Sequence, residues 1–387
     1  MSEHSLPSHQ VASEDQAPAL PADGQLSEAT DVSDSSAELS LLGLLKRPRT
    51  ITAIVVPVAL LLLAVVALPG FHLDSIWAAI TRANPWLLGA ALLAYYLSFP
   101  IRGYRWQQLL EGAGMETSKR DATEILFLSW FVNCLAPAKL GDLYRAYLLR
   151  LSRGRSLSGA LGTILVERIF DLEVIAIAGI VMGYLSFAGS MPSIVRVVLA
   201  VAAVTAVALS VALFALRSFG AALITRLPVP ASAAATYARF ETAAFSSVRR
   251  RTLPRLAGLT VAIWATEAAH LGLVVAALNF ADVRLGVEAI VFVALAGALL
   301  TAFPFSPAGL GAVETGVVGI LTVAYGVPPS EAVAITVLDR AVTVLSLIAV
   351  GCVIYALSDK TGRRRQTRVA AGSRAEGSEV ALDETSR

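Results

Sequence analysis

The chain has 387 residues, 56% of them hydrophobic and 16% charged, with a mean hydropathy of +0.68. Soluble domains are roughly 45–50% apolar, so this composition excludes an ordinary soluble enzyme and points to a membrane protein. The net charge of +2 hides a segregation, eight acids and no Lys or Arg in residues 1–40 against basic loops further on, and gives no ground for a nucleic-acid partner. Cys134 and Cys352 both lie in apolar segments, which argues against a disulfide framework or a thiolate metal site.

Residues 1–43 are rich in Ser, Ala, Pro, Asp and Glu without apolar periodicity, and read as a disordered acidic tail. No basic stretch followed by a short apolar run marks a cleavable signal peptide. The expected membrane domain is 44–360, followed by a second disordered tail, 361–387, that contains Arg363, Arg364 and Arg365.

A spanning helix needs about 20 apolar residues. Six segments meet this: 51–69, 84–102, 157–187, 194–216, 256–281 and 331–357. Segments 122–136 and 289–303 are too short to cross before proline interrupts, at roughly 22 Å for 1.5 Å per residue. Each is followed by a second apolar half, 139–151 after Pro137 and 308–325 after Pro307. Each pair is therefore one broken span or a hairpin that enters and returns.

Loop charge selects the hairpin, because cytoplasmic loops collect Lys and Arg. With Lys46, Arg47 and Arg49 inside, a hairpin over 122–151 returns Arg150, Arg153 and Arg155 to the cytoplasm, whereas a span would expose them outside. The expected fold is an all-α polytopic membrane protein of about six transmembrane helices plus two re-entrant helical hairpins. Both termini are expected to be cytoplasmic, in a bacterial inner membrane.

The breaks read Ala136-Pro-Ala-Lys-Leu-Gly-Asp142 and Ser306-Pro-Ala-Gly-Leu-Gly-Ala312. About 30 residues after each comes an adjacent acid and arginine, Glu167-Arg168 and Asp339-Arg340. Three crossings between the hairpins make this an inverted repeat, about 50–187 and 194–357, and broken segments at matching places in inverted halves point to a transporter's substrate site.

Charges at the depth of Glu167, Arg168, Asp171, Asp339 and Arg340 are costly in a bilayer and face a bundle interior or a wet cavity. These acids and arginines read either as structural glue, neutralising one another, or as part of a polar substrate path. Helices starting near Leu140 and Leu310 aim free N–H groups and a positive dipole end inward, suited to a phosphate. Lys139 adds a cation at the first tip, while Gly141, Gly309 and Gly311 allow close backbone approach. Asp142 and Glu314 fit helix caps or ligands. Arg145 and Arg150 are expected to be cytoplasmic topology determinants and not ligands, while Arg102 and Arg105 read as snorkelling anchors or as contacts to a lipid phosphate. Glu267 and His270 share a helix face and suit either proton coupling or a structural pair. Neither a phosphate-binding loop nor a hydrolase or metalloprotease motif is found, so a transporter without a catalytic domain is expected, with no cofactor and no metal.

The stretches RGYRWQQLL (102–110), FVNCLAPAKLGDLYRAYLL (131–149), ILVERIFDL (164–172), FPFSPAGLGAVE (303–314) and LDRAVTVL (338–345) together resemble the lysylphosphatidylglycerol synthase transmembrane region family, over about 50–357. The resemblance implies a flippase-like translocase that stands alone, because the synthase's separate aminoacyl-transfer domain has no counterpart. Relatives that accompany glycosyltransferases imply a glycosyltransferase or lipid-modifying enzyme as partner and leave the headgroup open. Three readings stand at this point: a flippase for an anionic phospholipid or lipid-linked glycan; a membrane-embedded glycosyltransferase or accessory subunit, with Glu167 or Asp171 as base; and a solute permease.

Overall fold

Several helix starts are set by short polar side chains that cap free N–H groups. Asn84 accepts hydrogen bonds from the amides of Trp86 and Leu87 (2.9 and 3.4 Å), with Pro85 at the first helical position. Ser118 accepts from Asp121 N–H (3.1 Å) and Ser156 from Gly159 N–H (3.2 Å). Left-handed residues close others, Gly154 at φ 62° and Asn279 at φ 46°.

The computed structural model describes residues 73–136, 138–187, 191–226, 230–302, 307–358 and 360, all within the compact unit Pro48–Arg387. The expected first span, 51–69, both expected tails, Pro137 and residues 303–306 lie outside the described residues.

The elements are α1 (Leu73–Arg82), α2 (Pro85–Gly112), α3 (Lys119–Leu135), α4 (Leu140–Arg153), α5 (Leu157–Ser186), α6 (Ser193–Arg226), α7 (Ala231–Ser246), α8 (Leu253–Leu278) and α9 (Val287–Ala302). A 3₁₀ turn (Pro307–Gly309) then leads into α10 (Ala312–Gly319), α11 (Pro329–Arg340) and α12 (Ser346–Leu357). Five-residue π-helical segments follow α10 (Ile320–Ala324) and α11 (Ala341–Leu345). There is no strand among the described residues.

Among the described residues, three helical stretches are long and apolar enough to cross a membrane: Ser193–Ala212, Leu253–Leu278 and the run Pro329–Leu357. The helices α2 and α5 have the length, 28 and 30 residues or about 42 and 45 Å, but both carry buried charges. Exposed apolar stripes recur at helical spacing, Ile177, Ile180, Val181 and Tyr184 on α5 and Val197, Val201, Val204 and Val211 on α6. Apolar faces this extensive belong against lipid or another protein.

Two helix pairs run antiparallel. Asp121 in the first turn of α3 pairs with Arg153 in the last turn of α4. Gly141 sits so close to α3 that a Cβ there would come within 2.0 Å of the Ser129 carbonyl. The second pair is α9 and α10, where Gly316 faces Leu300 and Gly297 faces Val317. The two tips share an unusual backbone: Ala138 and Lys139 are left-handed at φ 59° and 52°, and Ala308 and Gly309 at φ 51° and 70°.

Two departures from the sequence reading have clear causes. The segment expected to end at residue 102 continues to Gly112, because Arg102, Arg105 and Trp106 are buried against neighbouring helices instead of reaching water. The basic stretch expected as a loop after residue 216 contains α7, which packs on α5 where Gly162 meets the Phe240 carbonyl.

Candidate functional site

Two polar clusters occupy the core. In the first, α2, α4 and α5 converge. Arg105 donates to both carboxylate oxygens of Asp171 (2.6 and 3.1 Å) and to Thr260 (2.8 Å), and lies 3.3 Å from Glu167. Arg145 donates to Glu167 (3.1 and 3.3 Å) and stacks over Trp106 at 4.7 Å. Arg105, Arg145 and Glu167 are 1%, 0% and 2% exposed. Two arginines thus meet two carboxylates, and the cluster neutralises itself inside the bundle.

The second cluster surrounds a cavity of about 180 Å³ between the helix pairs. Lys139, Arg168, Arg102, Glu267, His270, Asp339 and Arg340 line it, as do Trp130, Trp264 and the second tip at Ala308 and Gly309. Arg102 donates to Glu267 (2.6 Å) and is held between the rings of Trp130 and Trp264 at 4.5 and 5.5 Å. Arg168 makes two hydrogen bonds to Asp142 (3.1 and 2.8 Å). Arg340 donates to Glu314 (2.7 Å) and to the Ala308 carbonyl (2.6 Å). His270 Nε2 lies 2.8 Å from Asp339. Lys139 has no ion-pair partner among the described residues, and the buried Trp264 Nε1–H has no acceptor.

Cationic side chains outnumber carboxylates among the residues lining the wall. Four cationic side chains line it against two carboxylates, because Asp142 and Glu314, which partner Arg168 and Arg340, are not among the lining residues. In both halves the carboxylate stands in the first turn after a tip and its arginine follows 26 residues later.

The residues singled out from sequence therefore divide. Lys139, Arg168, Gly309, Asp339, Arg340, Glu267 and His270 line the cavity, whereas Gly141, Glu167, Asp171, Gly311 and Glu314 do not. The acids and arginines do pair with one another, but with partners on other helices and not within each adjacent couple. Neighbours in sequence point about 100° apart on a helix and cannot face each other, so Glu167 turns to Arg145 while Arg168 turns to Asp142, and Asp339 to His270 while Arg340 turns to Glu314. Glu314 does act as a cap, accepting from Gly311 N–H (2.6 Å); the equivalent Gly141 N–H donates to Asn133 (2.8 Å).

Arg145 is not an interfacial topology determinant, nor are Arg102 and Arg105 snorkelling anchors: all three are buried and paired with carboxylates from other helices. Sequence reasoning also passed over Tyr95, Trp130 and Trp264 as cavity residues. The available signal was the continuation of the apolar pattern through Trp106, Leu109 and Leu110, which keeps Arg102 and Arg105 inside a helix.

Residues 51–351 match the family described as the lysylphosphatidylglycerol synthase TM region. A UPF0104 membrane protein of Methanocaldococcus jannaschii is 30% identical over 231 residues, 59% of this chain and 95% of that protein. A second from the same archaeon is 23% identical over 326 residues, 79% and 95% of the two chains. Glycosyltransferase AglD of Haloferax volcanii is 28% identical over 332 residues, 76% of this chain and 53% of that protein. With a match spanning most of its length, the chain belongs to the lysylphosphatidylglycerol synthase TM region family and is a membrane protein.

Proposed function

We propose that the protein is a flippase-like translocase for an anionic phospholipid or lipid-linked glycan, working as a transporter and not as an enzyme. The observation that carries this reading is the cation-lined cavity, whose wall includes Lys139, Arg168, Arg340 and the second tip at Ala308 and Gly309. A cavity of about 180 Å³ with charged lining suits a small anionic headgroup, the acyl chains staying in the bilayer in this reading. The antiparallel pairs α3–α4 and α9–α10 act as re-entrant hairpins between membrane crossings. Matching left-handed tips and the repeated 26-residue spacing support an inverted repeat. Both termini are cytoplasmic in this topology.

The test is transfer of a fluorescent phosphatidylglycerol in proteoliposomes. A charge-assisted hydrogen bond contributes about 1.5–3 kcal/mol, so each lost contact costs roughly ten- to a hundredfold. The double substitution Arg168→Ala plus Arg340→Ala is expected to abolish transfer; transfer at the wild-type rate overturns the assignment.

The similarity to a protein named a glycosyltransferase favours a second reading, an accessory or catalytic role in making a glycolipid. Loss of a glycolipid product in deletion cells, with no lipid transfer by the purified protein, selects it.

A further inference from the structure

Glu267 and His270 stand one turn apart on α8, and Asp339 meets them from α11. The imidazole is buried, with Nε2 2.8 Å from Asp339 Oδ1 and Nδ1 3.5 Å from Glu267 Oε2. Nδ1 has no side-chain hydrogen bond among the described residues, and the Thr266 carbonyl one turn back stands beside the ring. In the neutral ring, Nε2–H donates to Asp339 and the bare Nδ1 lone pair faces a carboxylate oxygen, acceptor against acceptor. One proton on Nδ1 turns that face into a donor. The charges agree: Arg102, Glu267 and Asp339 sum to −1, and an imidazolium brings the group to zero in a setting shielded from water.

Other titratable or charged groups on this cavity wall are Tyr95 and Arg102 from α2, Cys134 from α3, Lys139 at the first tip, Arg168 from α5 and Arg340 from α11; α9 contributes none. The Tyr95 ring meets His270 edge-on at 5.6 Å, and its hydroxyl donates to the Thr343 carbonyl (2.9 Å) in the π-helical segment after α11. Such segments loosen the regular ladder and recur at functional sites.

Consecutive residues on α11 thus serve two purposes: Asp339 holds His270, and Arg340 holds Glu314 and the second tip. A headgroup phosphate that draws Arg340 from Glu314 acts one residue away from the contact between Asp339 and His270. Proton and headgroup then affect each other's binding by the same factor.

We propose that His270, between Glu267 and Asp339, is a proton-loading site coupled through α11 to the headgroup at Arg340, making the protein a proton-coupled transporter. The coupling rests on the translocase reading; the proton site does not.

Two measurements on the full chain separate them. In nanodiscs of zwitterionic lipid, fluorescence of the cavity residues Trp130 and Trp264 is expected to show a single-proton transition between about pH 5 and 8, the range in which histidine titrates. It disappears in His270→Gln and moves to lower pH, with its shape kept, in Asp339→Asn. The same transition in His270→Gln, or none in the wild type, overturns the proposal. In proteoliposomes, a one-unit pH difference is expected to change phosphatidylglycerol transfer by up to about tenfold, the worth of one coupled proton. A fluorescence transition with transfer insensitive to the pH difference overturns the coupling. A transition with no transfer of any lipid overturns the translocase reading and leaves the proton site standing.

Discussion

Arg145 offers the sharpest test of the buried network. Its side chain is fully buried, donates twice to Glu167 and packs on Trp106, so Arg145→Ala leaves Glu167 with Arg105 alone, which already serves Asp171. Two carboxylates then share one guanidinium, and the cluster carries an uncompensated charge. Breaking a buried pair by removing one partner costs about 3–5 kcal/mol. At about 2–4 °C per kcal/mol for a larger domain, Tm falls by on the order of 10 °C. Replacing both partners with apolar side chains of similar size, Arg145→Met plus Glu167→Leu, removes the orphan charge and is expected to recover most of the loss. The assay is thermal unfolding of the detergent-purified protein followed by size-exclusion chromatography. A single variant with unchanged Tm, as expected of an exposed topology determinant, would refute the buried network, and so would a double variant no better than the single.

Backbone approach at the first tip is tested by Gly141→Ala, whose Cβ would meet the Ser129 carbonyl and the Asn133 side chain at 2.0 and 2.6 Å. Overpacking of this kind costs about 1–3 kcal/mol, whereas Gly89→Ala, with open space at that position on α2, is expected to stabilise by up to about 1 kcal/mol; the same Tm assay reads both. Asn133→Ala removes the acceptor for Gly141 N–H and is expected to cost about 1–3 kcal/mol as an unsatisfied buried donor, with Asn133→Asp recovering part of it.

Much of the helical layout was legible because long apolar runs and proline breaks are local signals. The spans expected at 157–187, 194–216 and 256–281 all fall on helices, Leu157–Ser186, Ser193–Arg226 and Leu253–Leu278. The facing of Glu267 and His270 was legible for the same reason: a spacing of three puts both on one side of a helix. The partner of each charge was not legible. Arg145 meets Glu167 across 22 positions and Arg102 meets Glu267 across 165, contacts that depend on how helices pack and leave no periodic trace. Without its partner, an arginine near a helix end reads as an anchor. The α7 helix escaped notice because Ala231–Ser246 is rich in alanine and has few large apolar side chains to mark a buried stripe.

The two halves share a tip geometry but divide its duties differently, and that difference makes them energetically unequal. At the first tip, Asn133 of α3 satisfies the Gly141 amide, which leaves Asp142 to Arg168. At the second, Glu314 does both jobs: one oxygen accepts from Gly311 N–H and the other from Arg340, while Arg340 also reaches the Ala308 carbonyl. An anion that engages Arg168 therefore competes with one carboxylate and leaves the first tip capped. An anion that engages Arg340 competes with the hydrogen bonds that fix the second tip itself. Lys139 at the first tip and Gly309 at the second fit this division. The capped half contributes Lys139, a cation without an ion-pair partner among the described residues, and the half whose cap is shared with the cavity-lining Arg340 has a tip residue that tolerates left-handed backbone at little cost.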